Sequence, residues 1–311
     1  MVCVGASLCL IFIGGLVTST GSALAVPDWP LAFGQLIPKL EGGVRFEYGH
    51  RVAAAIVSIL TLGLAVWAAR AEPRRLIRRM AAGAFALVIF QAVLGGVTVL
   101  LELPLAIAVT HAATAQAFFC LIVAITVLMN PDFASSSPTC AVRPLPATLP
   151  VQAAVTTAVI YLQILIGAVM RHLGAGLAIP DFPLSYGRLV PPLDSGFVVI
   201  NFAHRCGALL VTMLGVWTVA RVLRNAPGEP RLRWPAGGLL VLLMLQITLG
   251  ALTIWSGRAV IPTTAHVAVG AAVLATSLVL TIRIYARGAS TAYAEPARLL
   301  GSQAMTPGTS A

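Results

Sequence analysis

Long apolar runs fill most of the chain, and short polar stretches separate them. The apolar runs cover residues 2–20, 48–69, 80–101, 106–129, 150–171, 197–222, 235–255 and 263–285. A helix needs about 20 apolar residues to cross a bilayer core of about 30 Å. Barrel strands alternate apolar and polar residues over about ten positions, and these runs do not. The pattern predicts an all-α polytopic membrane protein with eight transmembrane helices.

The composition agrees with this prediction. Hydrophobic residues make up 59% of the 311 and charged residues only 10%, which excludes an ordinary soluble domain. No charge precedes the first apolar run, and the run leads directly into a polar loop. We therefore expect a retained first helix rather than a cleaved signal peptide. Four of the five cysteines fall within the predicted spans and are expected to be small apolar fillers.

The arginines predict the orientation. Residues 70–79 and 221–233 together hold nine of the 20 basic residues. Because loops rich in Lys and Arg stay in the cytoplasm, these segments and both termini are expected on the cytoplasmic side of the cell membrane. The net charge of +10 largely reflects this bias and requires no nucleic-acid partner. Membrane lipid is the expected surrounding of the helices.

One polar phrase occurs twice, 153 positions apart. Residues 25–38 read AVPDWPLAFGQLIP and residues 178–191 read AIPDFPLSYGRLVP. The similarity extends along the chain, aligning 13–38 with 166–191, 48–56 with 202–210, 91–99 with 246–254 and 110–115 with 265–270. Four predicted spans separate each copy from its partner, so the two halves have the same orientation in the membrane.

The repeat therefore predicts two parallel four-helix bundles. The N-terminal bundle covers residues 1–129 and the C-terminal bundle residues 150–287; a cytoplasmic linker at 130–149 and a cytoplasmic tail at 288–311 complete the chain. Prolines prevent a regular helix in the repeated phrase. The phrase is either a structured loop at the membrane interface or a lid over the bundle, because irregular backbone at membrane depth is buried by protein or lines a cavity.

Four of the five histidines obey the repeat. His50 pairs with His204, and His111 pairs with His266. Each lies near the start of an even-numbered helix, so all four are expected at one depth. Two imidazoles at one level of a bundle can ligate a haem iron from both sides. Zinc is not favoured, because no Cys, Asp or Glu completes a tetrahedral set. The fifth, His172, is replaced by Ser19 in the first half and is expected to be structural.

Charged residues flank the first histidine of each pair. Arg51 and Arg205 directly follow it, and they either contact a haem propionate or anchor the helix end. Glu47 lies one helical turn before His50, whereas Asn201 takes that position in the second half. Because a carboxylate can stabilise positive charge or take a proton, we expect the chemistry in the N-terminal half. The C-terminal half would hold an electron-transfer or structural haem.

Together these motifs resemble one known family. The T-G-S-x-L…P-D-W-P-L…G loop, E-x-x-H-R in the second helix and H-R in the sixth are similar to the haem A synthase family of cytochrome oxidase assembly. The histidines of the fourth and eighth helices complete the pattern. The resemblance covers about residues 14–285. One departure is that the loop at 21–46 lacks the cysteine pair that some members carry, so no disulfide mechanism can be transferred.

The resemblance implies an oxidoreductase that acts on a CH group. Its reaction would oxidise the C8 methyl of haem O to a formyl group, giving haem A. It implies that His50 and His111 hold the substrate haem, that Glu47 assists catalysis, and that His204 and His266 hold a haem b. The implied partners are haem O, haem O synthase, cytochrome oxidase assembly factors and an unidentified electron acceptor.

Two other functions stay open at this point. A bis-His b-type cytochrome that passes electrons between quinone and a partner would explain four histidines, but not the difference between Glu47 and Asn201. A transporter could also have duplicated halves. The transporter is disfavoured because the ionisable residues lie near one face rather than at mid-depth.

Overall fold

The computed structural model describes residues 1–130 and 145–303, and these residues form eight long α-helices. The helices are α1 (Val2–Ser19), α2 (Val44–Ala71), α3 (Arg75–Leu100), α4 (Leu105–Met129), α5 (Leu149–His172), α6 (Gly196–Asn225), α7 (Pro230–Trp255) and α8 (Val260–Gln303). All eight are long and apolar enough to cross a membrane. The predicted all-α architecture with eight spans is confirmed.

Local sequence sets where the helices end. Glu72 adopts an extended conformation after α2, as a residue before proline does, and Pro73 follows. Glu102 and Leu103 take positive φ values of 58° and 63° between α3 and α4. The hydroxyl of Ser195 caps α6 by accepting from the Val198 amide at 3.3 Å.

The predicted linker and the predicted tail are only partly described by the structure. Residues 131–144, the greater part of the predicted linker, lie outside the described residues, and so do residues 304–311 of the predicted tail. Helix α8 continues to Gln303, well past the predicted span end at residue 285. The division into linker, bundles and tail stays a prediction.

The helix contacts form two rings of four. In the first ring α1 packs on α2, α2 on α3, α3 on α4 and α4 on α1; in the second, α5 to α8 pack in the same cyclic order. Contacts of α8 with α1 and α4, and of α4 with α5, join the rings. Each ring therefore encloses its own interior, and α1, α4, α5 and α8 form the boundary between the rings.

Polar contacts cross this boundary. Arg171 of α5 donates from Nη2 to the Gly15 carbonyl and to the Ser19 hydroxyl of α1, both at 2.8 Å. Thr264 of α8 donates to the same Ser19 hydroxyl at 2.9 Å. The Tyr161 hydroxyl donates to the Ala113 carbonyl of α4 at 2.9 Å. These bonds fix the register of the two rings against each other.

Two loops of similar structure lie at one end of the helices. We call residues 20–43 loop 1 and residues 173–195 loop 2. In loop 1 the Asp28 carboxylate accepts from the amides of Phe33 and Gly34 at 2.7 and 2.8 Å. In loop 2 the Asp181 carboxylate accepts from Tyr186 and Gly187 at the same distances. Both loops contain a cis proline, Pro30 or Pro183. The repeated phrase therefore has one local fold in both copies.

The aspartates are expected to hold these turns together. The backbone N–H groups of Gly34 and Phe33 lower the pKa of Asp28 from its ordinary value of 3.8, and Gly187 and Tyr186 do the same for the pKa of Asp181. A group with a lowered folded pKa stabilises the fold above its unfolded pKa and ceases to do so as the pH falls through the folded pKa. The loops should therefore keep their structure down to pH values below 3.8.

We predict that Asp28→Ala raises hydrogen exchange at the Phe33 and Gly34 amides severalfold and leaves the helix amides unchanged, because the carboxylate is their acceptor. Hydrogen-exchange mass spectrometry of the protein in detergent measures this. Asp181→Ala is the matched control, since it should affect only loop 2. Equal exchange in the wild type and in Asp28→Ala would contradict the prediction.

Candidate functional site

All four paired histidines lie at the loop end of the helices. His50 is in the second turn of α2, His111 in the second turn of α4, His204 in the third turn of α6 and His266 in the second turn of α8. Since these helices all begin at the end that carries loops 1 and 2, the imidazoles reach a similar depth. The first ring holds His50 and His111, and the second holds His204 and His266. The predicted pairs are therefore placed one in each ring.

A glycine lies beneath each of the four imidazoles. A methyl group added to Gly14 would lie 3.0 Å from Cε1 of His50. One added to Gly167 would lie 2.9 Å from Cε1 of His204. The corresponding distances are 3.4 Å at Gly95 for His111 and 3.2 Å at Gly250 for His266. These glycines belong to α1, α5, α3 and α7. Each ring therefore brings its imidazoles close to the backbone of a neighbouring helix.

The geometry of the second pair fits a shared metal ion. The ring centroids of His204 and His266 lie 6.4 Å apart, with an angle of 68° between the ring planes. Two imidazoles that ligate one metal at about 2 Å each have centroids about 6 Å apart. The His266 Nδ1 lies 3.1 Å from the Gln246 main-chain carbonyl. A bond from Nδ1–H to this carbonyl makes Nε2 the unprotonated nitrogen, and the Gln246 side-chain amide lies 3.3 Å from it. A metal at Nε2 would have to displace that amide.

The two pairs differ in the partners of their ring nitrogens. His204 Nδ1 lies 3.0 Å from the Gln163 side-chain amide, and His266 Nδ1 has the Gln246 carbonyl. In the first ring, Nδ1 of His50 and Nδ1 of His111 are buried and have no hydrogen-bond partner among the described residues. Gln91 instead donates to the His111 main-chain carbonyl at 2.9 Å and accepts from the Thr114 hydroxyl at 3.0 Å.

The available donors favour haem over zinc. Within residues 1–130 and 145–303, no group of three or more His, Cys, Asp and Glu side chains converges. Each pair thus offers two imidazoles and no third protein ligand, whereas zinc sites use three or four. A haem supplies four of the six iron ligands and needs two axial ones. The half-buried, glycine-cradled imidazoles fit this requirement in both rings.

Glu47 is buried at the boundary of α2 and loop 1. Only 4% of its surface is accessible. Its Oε2 accepts from the Val26 amide at 2.8 Å, and its Oε1 accepts from Arg51 Nη2 at 2.7 Å. The carboxylate therefore lies one helical turn from His50 and at the same time positions loop 1.

Asn201 has the same place in the second ring but bonds in the opposite sense. It is 3% accessible, and its amide nitrogen donates to the Ala175 and Gly176 carbonyls at 2.9 and 3.2 Å. Its oxygen accepts from Arg205 Nε at 3.0 Å. Loop 1 presents an N–H to this position and loop 2 presents carbonyls. The acidic side chain and the amide thus each match the backbone that they meet.

Both arginines bind the loops. Arg51 donates to the carbonyls of Asp28, Leu31 and Val26 at 2.8, 2.9 and 3.1 Å. Arg205 donates to the carbonyls of Leu184 and Ile179 at 2.8 and 2.9 Å. Each guanidinium therefore ties a loop to the helix that carries the first histidine of the pair. The contact with a haem propionate stays a prediction.

Loop 1 reaches the helix beneath His111. A methyl group at Gly96 would lie 2.5 Å from Cδ2 of Trp29, so the indole packs directly on α3 next to Gly95. In the second half Ala251 replaces Gly96 and the smaller Phe182 replaces Trp29. Phe182 instead makes an edge contact with Trp255, with centroids 6.1 Å apart. The two loops thus cover the ends of the rings near the histidines, as a lid would.

His172 lies at the end of α5 and is exposed. It interacts electrostatically with His111, which belongs to the other half of the chain. The sequence placed it outside the histidine pairs, and the structure brings it toward the first ring. Its predicted structural role is not tested by this placement.

Several site residues were not singled out from the sequence. These are the four glycines beneath the imidazoles, Trp29 with Gly96, and Gln163. The glycines could have been found, because Gly14 aligns with Gly167 and Gly95 with Gly250 in the repeat. Gln163 could have been found as a polar residue whose counterpart, Leu10, is apolar.

Comparison with known proteins identifies similar sequences over most of the chain. The COX15-CtaA family model, described as cytochrome oxidase assembly protein, matches residues 43–278. A protein of Symbiobacterium thermophilum named "Heme A synthase" is 34% identical over 245 residues, which cover 77% of this chain and 79% of that protein. A protein of Halalkalibacterium halodurans with the same name is 30% identical over 277 residues, or 88% and 91%.

We predict that Gly96→Ala destabilises the protein and detaches loop 1, because a methyl group there meets the rigid Trp29 ring at 2.5 Å. Overpacking of this kind costs about 1–3 kcal/mol. Adding Trp29→Phe should recover most of the loss, since this recreates the Phe and Ala combination of the second half. Thermal unfolding in detergent measures both variants.

The double variant decides whether the contact is the cause. If the losses of Gly96→Ala and Trp29→Phe simply add, the two residues are not coupled. Gly83→Ala is the matched control, because a methyl group at this α3 glycine meets nothing within 4 Å.

Proposed function

The chain belongs to the COX15-CtaA family of cytochrome oxidase assembly proteins, and from this membership we propose that it is a haem A synthase. The proposed reaction oxidises the C8 methyl of haem O to a formyl group. One observation carries the proposal: each helix ring holds a pair of half-buried, glycine-cradled imidazoles. Among the described residues, the first ring has a buried carboxylate beside them and the second has an amide.

In this proposal the first ring binds the substrate. His50 and His111 hold haem O by its iron, and Gly14 and Gly95 give their rings space against α1 and α3. Loop 1 covers the site through Trp29, which restricts access of water. When bound, the haem iron supplies the redox chemistry that the side chains of the protein lack.

Glu47 has two functions in this proposal. Its carboxylate positions loop 1 through the Val26 amide and Arg51. It also places a negative charge in a low-dielectric site, where it can stabilise positive charge that develops near the reacting carbon. Asn201 can perform the first function but not the second, which supports assigning the chemistry to the first ring.

The second ring is proposed to hold haem b as an electron carrier. The support is the 6.4 Å separation of the His204 and His266 rings and the bonds to their Nδ1 atoms. When bound, this haem would supply one-electron redox chemistry, and His204 and His266 would hold it. The proposed partners are haem O synthase, which supplies the substrate, and cytochrome oxidase assembly factors, which receive the product. A cell-membrane location with cytoplasmic termini completes the proposal.

The experiment that tests the proposal is expression of the protein in cells that make haem O but lack haem A. We expect haem A, or its C8 alcohol precursor, to appear in the extracted haems by mass spectrometry. Unchanged haem O beside a bound haem b would contradict the proposal and favour the b-type cytochrome. Vector alone is the control.

We predict that Glu47→Gln keeps bound haem but slows conversion of haem O by about a hundredfold or more, as losing a catalytic carboxylate or electrostatic stabiliser does. The glutamine oxygen can still accept from the Val26 amide, but its NH₂ group loses the bond from Arg51. Loop 1 should stay in place because Arg51 keeps its bonds to three loop carbonyls. Haem content, amide exchange at Val26 and product formation are measured together. A normal conversion rate in Glu47→Gln would contradict the catalytic function. The remaining function of Glu47 would then be to position loop 1.

A further inference from the structure

The two rings treat their histidines differently, although the sequences around them are duplicated. In the second ring the Nδ1 atoms of His204 and His266 both have partners. In the first ring the Nδ1 atom of His50 is buried without one among the described residues, whereas the His111 ring interacts with the Gln91 main chain as His266 does with that of Gln246. A partner on Nδ1 fixes the orientation of the imidazole and strengthens it as a ligand, and its loss typically costs 10–100-fold in affinity.

Gln163 is the main source of this difference in the sequence. It lies on α5 one turn before Gly167, and its Nε2 lies 2.7 Å from the His204 carbonyl and 3.0 Å from His204 Nδ1. Leu10 occupies the aligned position of α1 in the first half. An aliphatic side chain offers no hydrogen bond, so His50 is left without a partner there.

A second residue makes room for Gln163. A methyl group added to Gly207 would lie only 2.0 Å from Gln163 Oε1, so Gln163 can take its position only because residue 207 is glycine. The aligned residue of the first half is Ala53, which has this methyl group. The halves therefore differ as a matched set, with Gln163 and Gly207 in one and Leu10 and Ala53 in the other.

The glutamine can serve His204 whether or not a metal is bound. Its NH₂ group donates to an unprotonated Nδ1. When the metal takes Nε2, Nδ1 carries the proton, and the amide has to present its oxygen as acceptor, which gives up the bond from Gln163 Nε2 to the His204 carbonyl. The Oε1 atom has no hydrogen-bond partner among the described residues, so it is available for this bond.

From this contrast, we propose that Gln163 is a positioning residue that makes the second ring retain its haem, while Leu10 leaves the first ring able to release its haem. This inference rests on the proposed function, because it assigns a resident haem to one ring and an exchanging haem to the other. A synthase must release its product, whereas an electron carrier must stay bound. In this proposal Gln163 and Gly207 keep the haem bound in the second ring, and their absence from the first ring allows release there.

The test measures the transfer of haem from the purified haem b-loaded protein to excess apomyoglobin. We expect Gln163→Leu to lose haem b about 10–100 times faster than the wild type, and to raise the reduction potential, because a weaker imidazole donor stabilises ferric iron less. Gln163→Glu should retain the haem and lower the potential, since a carboxylate is a stronger acceptor. Gln116→Leu is the control for loss of a buried glutamine, because Gln116 makes no hydrogen bond to a histidine among the described residues.

A reciprocal variant tests the same idea in the first ring. Leu10→Gln with Ala53→Gly should slow the release of haem from the His50 site, and it keeps the inference testable if Gln163→Leu does not fold. Unchanged release rates and potentials in both the Gln163 and the Leu10 variants would overturn the inference and leave the proposed function untouched. A wild-type protein without any bis-His haem spectrum would instead overturn the proposed function itself.

Discussion

The close approach of four imidazoles to four glycines is the constraint on which the rest of the structure depends. A side chain at any of these glycines would meet the ring at 2.9–3.4 Å from the added methyl group. Without that approach the two histidines of a ring could not both lie inside it. The helix rings thus supply axial ligands from α2 and α4, or from α6 and α8, and the glycines of the intervening helices give them space. The bundle also keeps these polar rings away from lipid, where an unpaired polar group is costly.

The loops complete the site from one end. Their backbone cannot form a regular helix, so its polar groups need other partners. Asp28 and Asp181 satisfy amides within each loop, while Arg51 and Arg205 satisfy carbonyls from the neighbouring helix. Loop 1 presents an N–H group to Glu47, which accepts it, and loop 2 presents carbonyls to Asn201, which donates to them. The asymmetry between the halves is therefore structural as well as chemical, and a catalytic function for Glu47 has to be separated from its hold on loop 1.

The sequence predicted the helices and the histidine pairs because apolar runs and an internal repeat are both visible along the chain. It also predicted that Glu47 and Asn201 are equivalent positions. It did not predict that Arg51 binds three loop carbonyls, since the path of a proline-rich loop depends on contacts between distant residues. Nor did it predict the electrostatic influence of His172 on His111, because it acts between α5 and the other half of the chain. The repeat shows that Gln163 replaces an apolar Leu10, but only the structure shows that it contacts His204.

Each ring is proposed to hold one haem between its own two histidines. The most direct measurement is the number of haems per chain, with electron paramagnetic resonance of their ligation, after saturation with haem b and haem O. We expect two bis-His haems in the wild type and one in either His50→Ala or His204→Ala, each variant keeping the spectrum of the other site. A single haem that disappears in both variants would show that it is ligated by one histidine from each ring, and that would contradict the account.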